Sequence, residues 1–352
     1  MPNTRGQIRI VIIGPSISSK GGISEFTRQF LRLPWPAKLR FVNVSTQIEG
    51  SRAKKLVQAS SALVRMMFLL PFADAVFVQM GSELSIFRKC VFIIFAHLFR
   101  KPVISYVHAG DFIDFLDRQP RPVVTFIRFI LQGCKVCAFL THEHVEYAKR
   151  NLGLENAIFL PNFVATDSVS AAPKTHDGRP SVLFLGRVVK EKGIFELIDA
   201  FELLAERKRD ISLNIAGTGE IDHVTRLIEE KDLSERVHLL GWVDEDQKKT
   251  ALSEATILVL PSYFEAMPLC VLEAMAMETV VIASAVGAVP FMLENGQCGI
   301  ILPKVSAEEI ADSIERCLDD GNIGELQDRA KERFNRIFSK HVFMSNFQAL
   351  IN

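Results

Sequence analysis

Short apolar runs alternate with longer amphipathic segments along the chain. In the second half such runs occur at residues 181–185, 211–216, 237–240, 257–260 and 280–283, and the segments between them carry apolar residues at helical spacing. Strands of a parallel sheet read as continuous apolar runs because helices cover both faces of the sheet. The alternation therefore predicts a doubly wound, parallel α/β sheet.

The first half shows the same alternation and predicts a second α/β layer structure. We expect strands at residues 8–14, 75–79 and 102–108, and a further strand that ends at Leu140. Apolar stripes at helical spacing predict helices between these strands. The three most apolar of these helices are expected at residues 52–70, 88–101 and 121–132.

Two domains are expected, because 352 residues exceed the length at which a single hydrophobic core usually stops growing. We place the first domain at residues 1–165 and the second at residues 166–340. The stretch 165–180 is rich in Ala, Ser, Thr and Pro and is the expected linker. A last helix at about residues 341–352 is a candidate to pack back on the first domain.

Two carboxylates stand where a buried strand, residues 257–260, gives way to a helix. Ligands of open α/β sheets bind beyond the carboxyl ends of strands, and the free N–H groups of a helix start favour an anion. Glu265 in the loop and Glu273 in the helix could each accept hydrogen bonds from sugar hydroxyls. A solvated loop acid and an acid favoured by the helix dipole are the structural alternatives. The junction contributes three further ligand-binding candidates, Met267, Pro268 and Leu269.

A second loop between a strand and a helix carries two cations. The run 181–185 is followed by Gly186-Arg187, by a charged loop with Lys192-Gly193, and by an amphipathic helix. Arg187 offers a planar fork of donors and Lys192 a mobile point charge. This combination is suited to a diphosphate.

Together, the Gly-Arg…Lys-Gly segment and the Glu265-x7-Glu273 pair resemble glycosyltransferase family 4, retaining nucleotide-sugar transferases of the GT-B fold. The resemblance implies two Rossmann-like domains facing across a cleft, with the acceptor held by the first and a UDP- or GDP-linked sugar by the second. It implies that Arg187 and Lys192 bind the donor diphosphate. It also implies that Glu273 holds the ribose and that Glu265 meets the transferred sugar.

Glycine loops and a strand-end histidine add further candidates. Gly21 and Gly22 let the backbone approach a ligand closely, and the resemblance implies that this loop closes over the donor phosphates; a flexible turn is the alternative. His108 could be a structural hydrogen-bonding residue, but the resemblance implies contact with the donor sugar or acceptor. Asp111 is an acceptor-binding candidate or a cap of the next helix. Gly217 in the second domain is a donor-binding or turn candidate.

No cofactor and no metal are expected, since Arg187 and Lys192 would replace Mg²⁺ in stabilising the leaving diphosphate. The first strand is not followed by the Gly-x-Gly-x-x-Gly fingerprint, which counts against a dehydrogenase. The pair Cys134-x2-Cys137 could suggest a metal site with the histidines that follow it. The strand pattern instead favours packed thiols, with Thr141 as the N-cap of the next helix.

Charge is balanced over the whole chain but not between its halves. Residues 1–165 contain 21 Lys+Arg against 10 Asp+Glu, and the remainder contains 20 against 31. A basic half points to an anionic surface or to nucleic acid, and attraction between the two halves is the alternative. Because the basic residues flank the apolar helices 52–70, 88–101 and 121–132, we expect an anionic membrane surface, a lipid-linked acceptor and no nucleic acid. The run 90–99 is the best candidate for lipid contact.

The scattered cysteines fit a reducing cytosol, and no signal peptide or membrane-spanning segment is predicted. We therefore expect a cytoplasmic enzyme, peripheral on the inner face of the cell membrane, that builds cell-surface polysaccharide or glycolipid. Another GT-B enzyme, such as a nucleotide-sugar epimerase, and a catalytically silent binding protein are the alternatives.

Overall fold

The computed structural model describes residues 6–47, 52–165 and 179–351, apart from the side chains of Arg52, Ala53 and Leu56. The chain divides into two compact units. Unit 1 comprises Met1–Ala165 and Lys340–Asn352, and unit 2 comprises Thr166–Ser339. Residues 166–178 of the expected linker lie outside the described residues.

Unit 1 is built on a six-stranded parallel sheet in the order β2-β1-β3-β4-β5-β6. Its strands are β1 (Ile8–Gly14), β2 (Leu39–Ser45), β3 (Ala75–Met80), β4 (Val103–Val107), β5 (Val136–Phe139) and β6 (Ala157–Phe159). Its helices are α1 (Gly22–Arg32), α2 (Arg52–Leu69), α3 (Leu84–Leu98), α4 (Phe112–Asp117), α5 (Arg121–Gln132) and α6 (His142–Leu152). The expected N-cap of α6 is confirmed, because Thr141 Oγ1 accepts a hydrogen bond from the His144 amide at 3.1 Å.

Unit 2 is built on a second six-stranded parallel sheet, in the order β12-β11-β10-β7-β8-β9. Its strands are β7 (Ser181–Leu185), β8 (Ser212–Ala216), β9 (Val237–Gly241), β10 (Ile257–Leu260), β11 (Val280–Ser284) and β12 (Ile300–Leu302). Its helices are α7 (Ile194–Glu206), α8 (Ile221–Glu230), α9 (Glu245–Glu254), α10 (Leu269–Ala276), α11 (Val289–Met292), α12 (Ala307–Asp319) and α13 (Ile323–Arg333).

The last helix, α14 (Lys340–Ile351), packs on unit 1 through aromatic rings. The ring of Phe343 lies 4.3 Å from that of Phe163, and the ring of Phe347 lies 5.0 Å from those of Phe30 and Phe77. Both α14 side chains are buried. Burying a phenylalanine contributes about 1.5 to 3 kcal/mol, so these two rings anchor the helix.

The two faces of the unit 1 sheet are covered by different sets of helices. Val76 and Val78 share a core with the buried residues of α2, α3, α5 and α6. Phe77 points to the opposite face, where it meets Phe30 of α1 at 5.4 Å. Consequently α2, α3 and α5 lie on the same face of the sheet. The sides of these helices that point away from the sheet form one outer surface of unit 1.

The sequence pattern does not predict β2, β6 or β12, and it places the start of α3 too late. All three strands lie at an edge of their sheet. Polar residues interrupt β2, which an edge position tolerates, whereas β6 and β12 are apolar but only three residues long. The α3 helix begins at Leu84. The expectation that the run 90–99 meets lipid is wrong for Cys90, Phe92, Ile93 and Ala96, because these side chains belong to the core.

Candidate functional site

The predicted cations and carboxylates of unit 2 converge on two neighbouring strands. In this sheet β7 lies between β10 and β8, so the chain proceeds to one side through β8 and β9 and then crosses to the other side with β10. The carboxyl ends of β7 and β10 therefore flank the point where the strand order reverses. Ligands of open α/β sheets bind at such a switch point.

The loop after β7 presents Arg187 and Lys192 from a tight turn. A 3₁₀ turn at Lys190–Lys192 precedes Gly193, which starts α7 with φ +68°. A Cβ atom on Gly193 would lie 2.0 Å from the Pro261 carbonyl oxygen, so only glycine lets the two strand-end loops approach this closely. Arg187 is exposed, and its guanidinium makes no hydrogen bond or ion pair with the residues that the structure describes.

Lys192 and Glu265 form a direct ion pair between the loops after β7 and β10. The Lys192 Nζ atom lies 2.5 Å from Glu265 Oε1, and the two side chains are 23% and 12% exposed. Ser262 Oγ donates a second hydrogen bond to the same carboxylate oxygen at 2.9 Å. The Glu265 side chain is thus held in place rather than solvated in a mobile loop.

Glu273 is buried in α10 and is paired with a lysine from α9. It is 4% exposed, and Lys248 Nζ lies 2.5 Å from its Oε1 atom. Both carboxylates, Glu265 and Glu273, influence the pKa of the Cys270 thiol. Its pKa is raised first by burial and then by the charges of Glu265 and Glu273, so the two predicted carboxylates share one neighbourhood.

The loop after β11 supports the Glu265 loop through backbone contacts. The Ala288 amide donates to the Ala266 carbonyl at 2.8 Å. A Cβ atom on Gly287, which has φ +54°, would lie 2.1 Å from the Glu265 carbonyl oxygen. Phe291 lies in the following helix, α11, where the Arg333 guanidinium sits 5.0 Å from its ring centroid. The loop after β11 therefore supports the backbone of residues 265 and 266.

The other unit 2 candidates shape the same region. Pro268 is the N-cap of α10 and Leu269 is its first helical residue. Met267 and Pro268 are buried, so they fix the start of the helix instead of exposing side chains. Gly217 follows β8, and its amide donates to the Gly241 carbonyl at 2.7 Å. A Cβ atom at Gly217 would lie 1.7 Å from the Gly186 carbonyl oxygen, which keeps this turn against the Arg187 loop.

The glycine loop of unit 1 lies between β1 and α1. Gly21 is the N-cap of α1 with φ +128°, a conformation that side chains rarely adopt, and Gly22 is the first helical residue. Both are exposed. A Cβ atom at either position would meet nothing within 4 Å, so the surrounding structure leaves room beside this loop.

His108 and Asp111 follow β4 of unit 1, and each carries a buried polar atom. His108 is 8% exposed, and its ring lies 4.1 Å from Tyr106 and 5.0 Å from Phe26. Burial lowers the pKa of its imidazole to about 3, so the ring is neutral at ordinary pH. His108 Nε2 and Asp111 Oδ1 have no hydrogen-bond partner among the described residues. Asp111 precedes α4 but makes no side-chain capping bond.

The described residues contain no group of three or more His, Cys, Asp or Glu side chains arranged to hold a metal ion. Cys134 and Cys137 are free, buried thiols that donate to the carbonyls of Ile130 and Leu131. The expectation of packed thiols at this pair is therefore confirmed.

Asp244-Glu245-Asp246 has the sequence Asp-x-Asp, which often marks a metal site. In the structure Asp244 is the N-cap of α9 and accepts from the amides of Asp246 and Gln247. The Gln247 side chain accepts from the Asp244 amide in return, which completes a capping box. The motif therefore fixes the start of the helix that carries Lys248.

Lys248 and Ser262 are the site residues that sequence reasoning missed. Ser262 directly follows the expected end of β10, and its short side chain gives no periodic signal. Lys248 stands 25 positions before Glu273 on a different helix. Only the three-dimensional structure shows that it reaches the carboxylate.

The four charged residues of the unit 2 site lie within the part of the chain that matches a known protein family. The family model described as glycosyl transferases group 1 matches residues 147–336. The chain is 36% identical over 157 residues to alpha-D-kanosaminyltransferase of Streptomyces kanamyceticus, covering 44% of this chain and 40% of that protein. It is 33% identical over 165 residues to phosphatidyl-myo-inositol mannosyltransferase of Mycobacterium leprae, covering 45% of this chain and 43% of that protein. The matches thus span less than half the length of these relatives.

A solved structure is similar over nearly the whole chain. HepE of Anabaena, in complex with UDP and glucose, has a TM-score of 0.74 at 15% identity and covers 98% of this chain and 99% of that chain. At this level of identity the likeness concerns the fold. The predicted GT-B class, with two parallel α/β sheets, is confirmed.

Proposed function

We propose, because the chain belongs to the glycosyl transferases group 1 family, that it moves a sugar from a nucleotide-diphosphate sugar to a saccharide acceptor with retention of configuration. The resemblance drawn from Arg187, Lys192, Glu265 and Glu273 is confirmed at the level of the family. The observation that carries the proposal is that these four residues lie on the loops and helices after β7 and β10, at the switch point of the unit 2 sheet.

The charges of the site suit the bond changes of the reaction. The acceptor hydroxyl oxygen bonds to the anomeric carbon, the bond from that carbon to the diphosphate oxygen breaks, and the hydroxyl proton is released. Negative charge then accumulates on the leaving diphosphate, where Arg187 and Lys192 would stabilise it. Glu273 would hold the ribose of the donor, whose nucleotide is UDP or GDP. We assign no covalent nucleophile.

Unit 1 would bind the acceptor and contact the transferred sugar. Buried polar atoms usually have a hydrogen-bond partner, so one without a partner calls for an explanation, such as a bound ligand or water. His108 Nε2 and Asp111 Oδ1 are such atoms, and they follow the same strand. Sugar hydroxyls can donate to Asp111 and can donate to or accept from a neutral imidazole.

The outer side of unit 1 suits an anionic membrane surface and hence a lipid-linked acceptor. The segments of α2, α3 and α5 contain no Asp or Glu. Phe68, Leu98 and Phe129 on these helices are 74%, 69% and 72% exposed. Arg65 and Arg128 are exposed beside them. Each cation near an acidic leaflet contributes about 1 kcal/mol, and apolar side chains add to reversible attachment.

No helix among the described residues is long and apolar enough to cross a membrane. Flotation with vesicles tests the proposed surface attachment. The protein should float with anionic vesicles at low salt, remain at the bottom with neutral vesicles, and detach at high salt. The variant Phe68→Ser/Leu98→Ser/Phe129→Ser should lose flotation, whereas Leu240→Ser, at an exposed position of unit 2, should retain it. A parent protein that ignores anionic vesicles at low salt would point to a soluble acceptor.

A thermal-shift screen of UDP- and GDP-linked sugars tests the proposed donor. A ligand at about 100 times its dissociation constant adds about 2.7 kcal/mol to the free energy of unfolding. The variant Arg187→Ala/Lys192→Ala should lose this stabilisation, whereas Lys190→Ala, an exposed neighbour, should keep it. Conversion of the nucleotide sugar without an acceptor would favour an epimerase, and binding without any turnover would favour a silent binding protein.

A further inference from the structure

Lys248 is a cation that neither the motifs nor the family resemblance assign. It lies on α9, one residue beyond the capping box formed by Asp244 and Gln247. Its Nζ atom contacts Glu273 Oε1 at 2.5 Å, and its side chain is 16% exposed. We infer that Lys248 is a positioning residue that holds the Glu273 carboxylate for the donor ribose, an inference that rests on the proposed function.

Burial makes this pairing necessary for Glu273. The Glu273 side chain is 5% exposed and lies in α10, where its neighbours in the helix Val271, Leu272 and Ala274 are also buried. A buried carboxylate without a cation is unfavourable by several kcal/mol and tends to take up a proton. A protonated Glu273 would accept hydrogen bonds poorly, so the ammonium keeps it in the form that a ribose diol needs.

Lys248 also offsets the charge that Glu273 would present to the donor. A nucleoside diphosphate is an anion, and a lone carboxylate beside it would repel it. The pair with Lys248 is neutral overall, so the carboxylate can contact the ribose while Arg187 and Lys192 face the phosphates. An ionised carboxylate has about four acceptor positions, enough for an ammonium and a ribose diol together.

The position of Lys248 is fixed more firmly than that of a typical surface lysine. The capping box anchors the first turn of α9. The helix ends beside Ala255, and Thr279 Oγ1 donates to the Leu252 carbonyl at 2.7 Å, which ties α9 to the segment after α10. Lys249, the next residue, points elsewhere and pairs with Glu245 of its own helix at 3.4 Å.

The test compares UDP and GDP with their 2′,3′-dideoxy analogues by calorimetry on the full chain. In the parent, the ribonucleotide should bind more tightly than its dideoxy analogue. Lys248→Met should weaken the ribonucleotide about tenfold, as loss of a charge-assisted contact would, and leave the dideoxy analogue within about twofold. Lys248→Arg should restore most of the preference, and Lys249→Met should behave as the parent. The Michaelis constant for the donor should rise in Lys248→Met while the turnover number changes little.

Three outcomes would overturn the inference. Equal weakening of both analogues would show that Lys248 acts on overall charge or folding and not on the ribose contact. An unchanged preference in Lys248→Met, with Glu273→Gln losing it, would leave the ribose assignment intact and remove Lys248 from it. Failure of the parent to bind either ribonucleotide would overturn the proposed donor site itself, and the inference with it.

Discussion

Lys192 Nζ and Glu265 Oε1 lie 2.5 Å apart, so the predicted diphosphate cation and the predicted sugar-contacting carboxylate are bonded to each other. The lysine is expected to bind the leaving diphosphate and the glutamate to contact the sugar, yet without a donor the two charges neutralise each other. A diphosphate would compete with Glu265 for the lysine. Donor binding and the release of Glu265 toward the sugar are therefore coupled in our account.

The coupling predicts an unusual effect of Glu265→Gln. Removing the carboxylate charge relieves both its competition for Lys192 and its repulsion of the diphosphate, so UDP or GDP should bind at least as tightly as to the parent. Sugar transfer should nevertheless fall by at least about tenfold, because the group that we propose to contact the sugar would lose its charge. Calorimetry and a transfer assay measure the two effects. The control Glu191→Gln, exposed in the same loop, should change neither, and weaker nucleotide binding by Glu265→Gln would argue against the competition.

The proposed roles of three residues can be separated by steady-state kinetics. Glu273→Ala should chiefly raise the Michaelis constant for the donor, because the ribose contact is made equally before and during transfer. Glu265→Ala and His108→Ala should chiefly lower the turnover number, because they act on the sugar being moved. If all three variants showed the same defect in binding alone, this division of roles would be wrong.

The neutral state of His108 predicts a pH dependence of stability. Burial lowers the pKa of His108 to about 3 from an ordinary value of 6.5, so between these values the unfolded chain binds a proton that the folded chain does not. The free energy of unfolding should therefore fall as the pH falls below 6.5. Burial also lowers the pKa of His144 in unit 1, so His108 contributes part of the slope.

The variant His108→Gln should flatten this pH dependence between about pH 6.5 and 4.5. Trp35 reports on unit 1, since its ring lies 4.9 Å from Phe30 and 5.5 Å from Phe347. Urea unfolding followed by Trp35 fluorescence in a Trp242→Phe background measures the effect. His341→Gln, at an exposed position of α14, should keep the parental slope. An identical slope in both variants would show that His108 is not the group responsible.

Gly193 predicts a purely structural effect on unit 2. In Gly193→Ala the new methyl group would meet the Pro261 carbonyl oxygen at 2.0 Å, and the backbone has φ +68°. We expect the free energy of unfolding to fall by about 1 to 3 kcal/mol. Donor binding should also weaken, because the loops after β7 and β10 must move apart. Gly324→Ala is the matched control, since a Cβ atom there meets nothing within 4 Å. Equal stability of the two variants in urea would contradict this close approach.

Much of the fold could be predicted because the central strands are buried on both faces. Ile257–Leu260 and Ser181–Leu185 read as strands from their continuous apolar runs. The edge strand Leu39–Ser45 did not, since it alternates apolar with polar residues and is only partly covered. The hydrophobic pattern thus predicts strands well where both faces of the strand are buried.

The residues of the candidate site could be predicted from the sequence, but the contacts between their side chains could not. Arg187, Lys192, Glu265 and Glu273 follow strands in a spacing that indicates shared chemistry. The contact of Lys192 with Glu265 joins residues 73 positions apart, and it depends on the close approach of two loops. Lys248 carries no local signal, because its contact with Glu273 joins residues 25 positions apart on two different helices.

Calorimetry can establish whether unit 2 binds a nucleoside diphosphate through Arg187 and Lys192, as we propose. UDP and GDP are titrated into the parent and into Arg187→Ala/Lys192→Ala at the same ionic strength. Charge-assisted hydrogen bonds contribute about 1.5 to 3 kcal/mol each, so the double variant should bind UDP or GDP at least about tenfold more weakly than the parent. Binding of equal strength to both proteins would contradict this proposal.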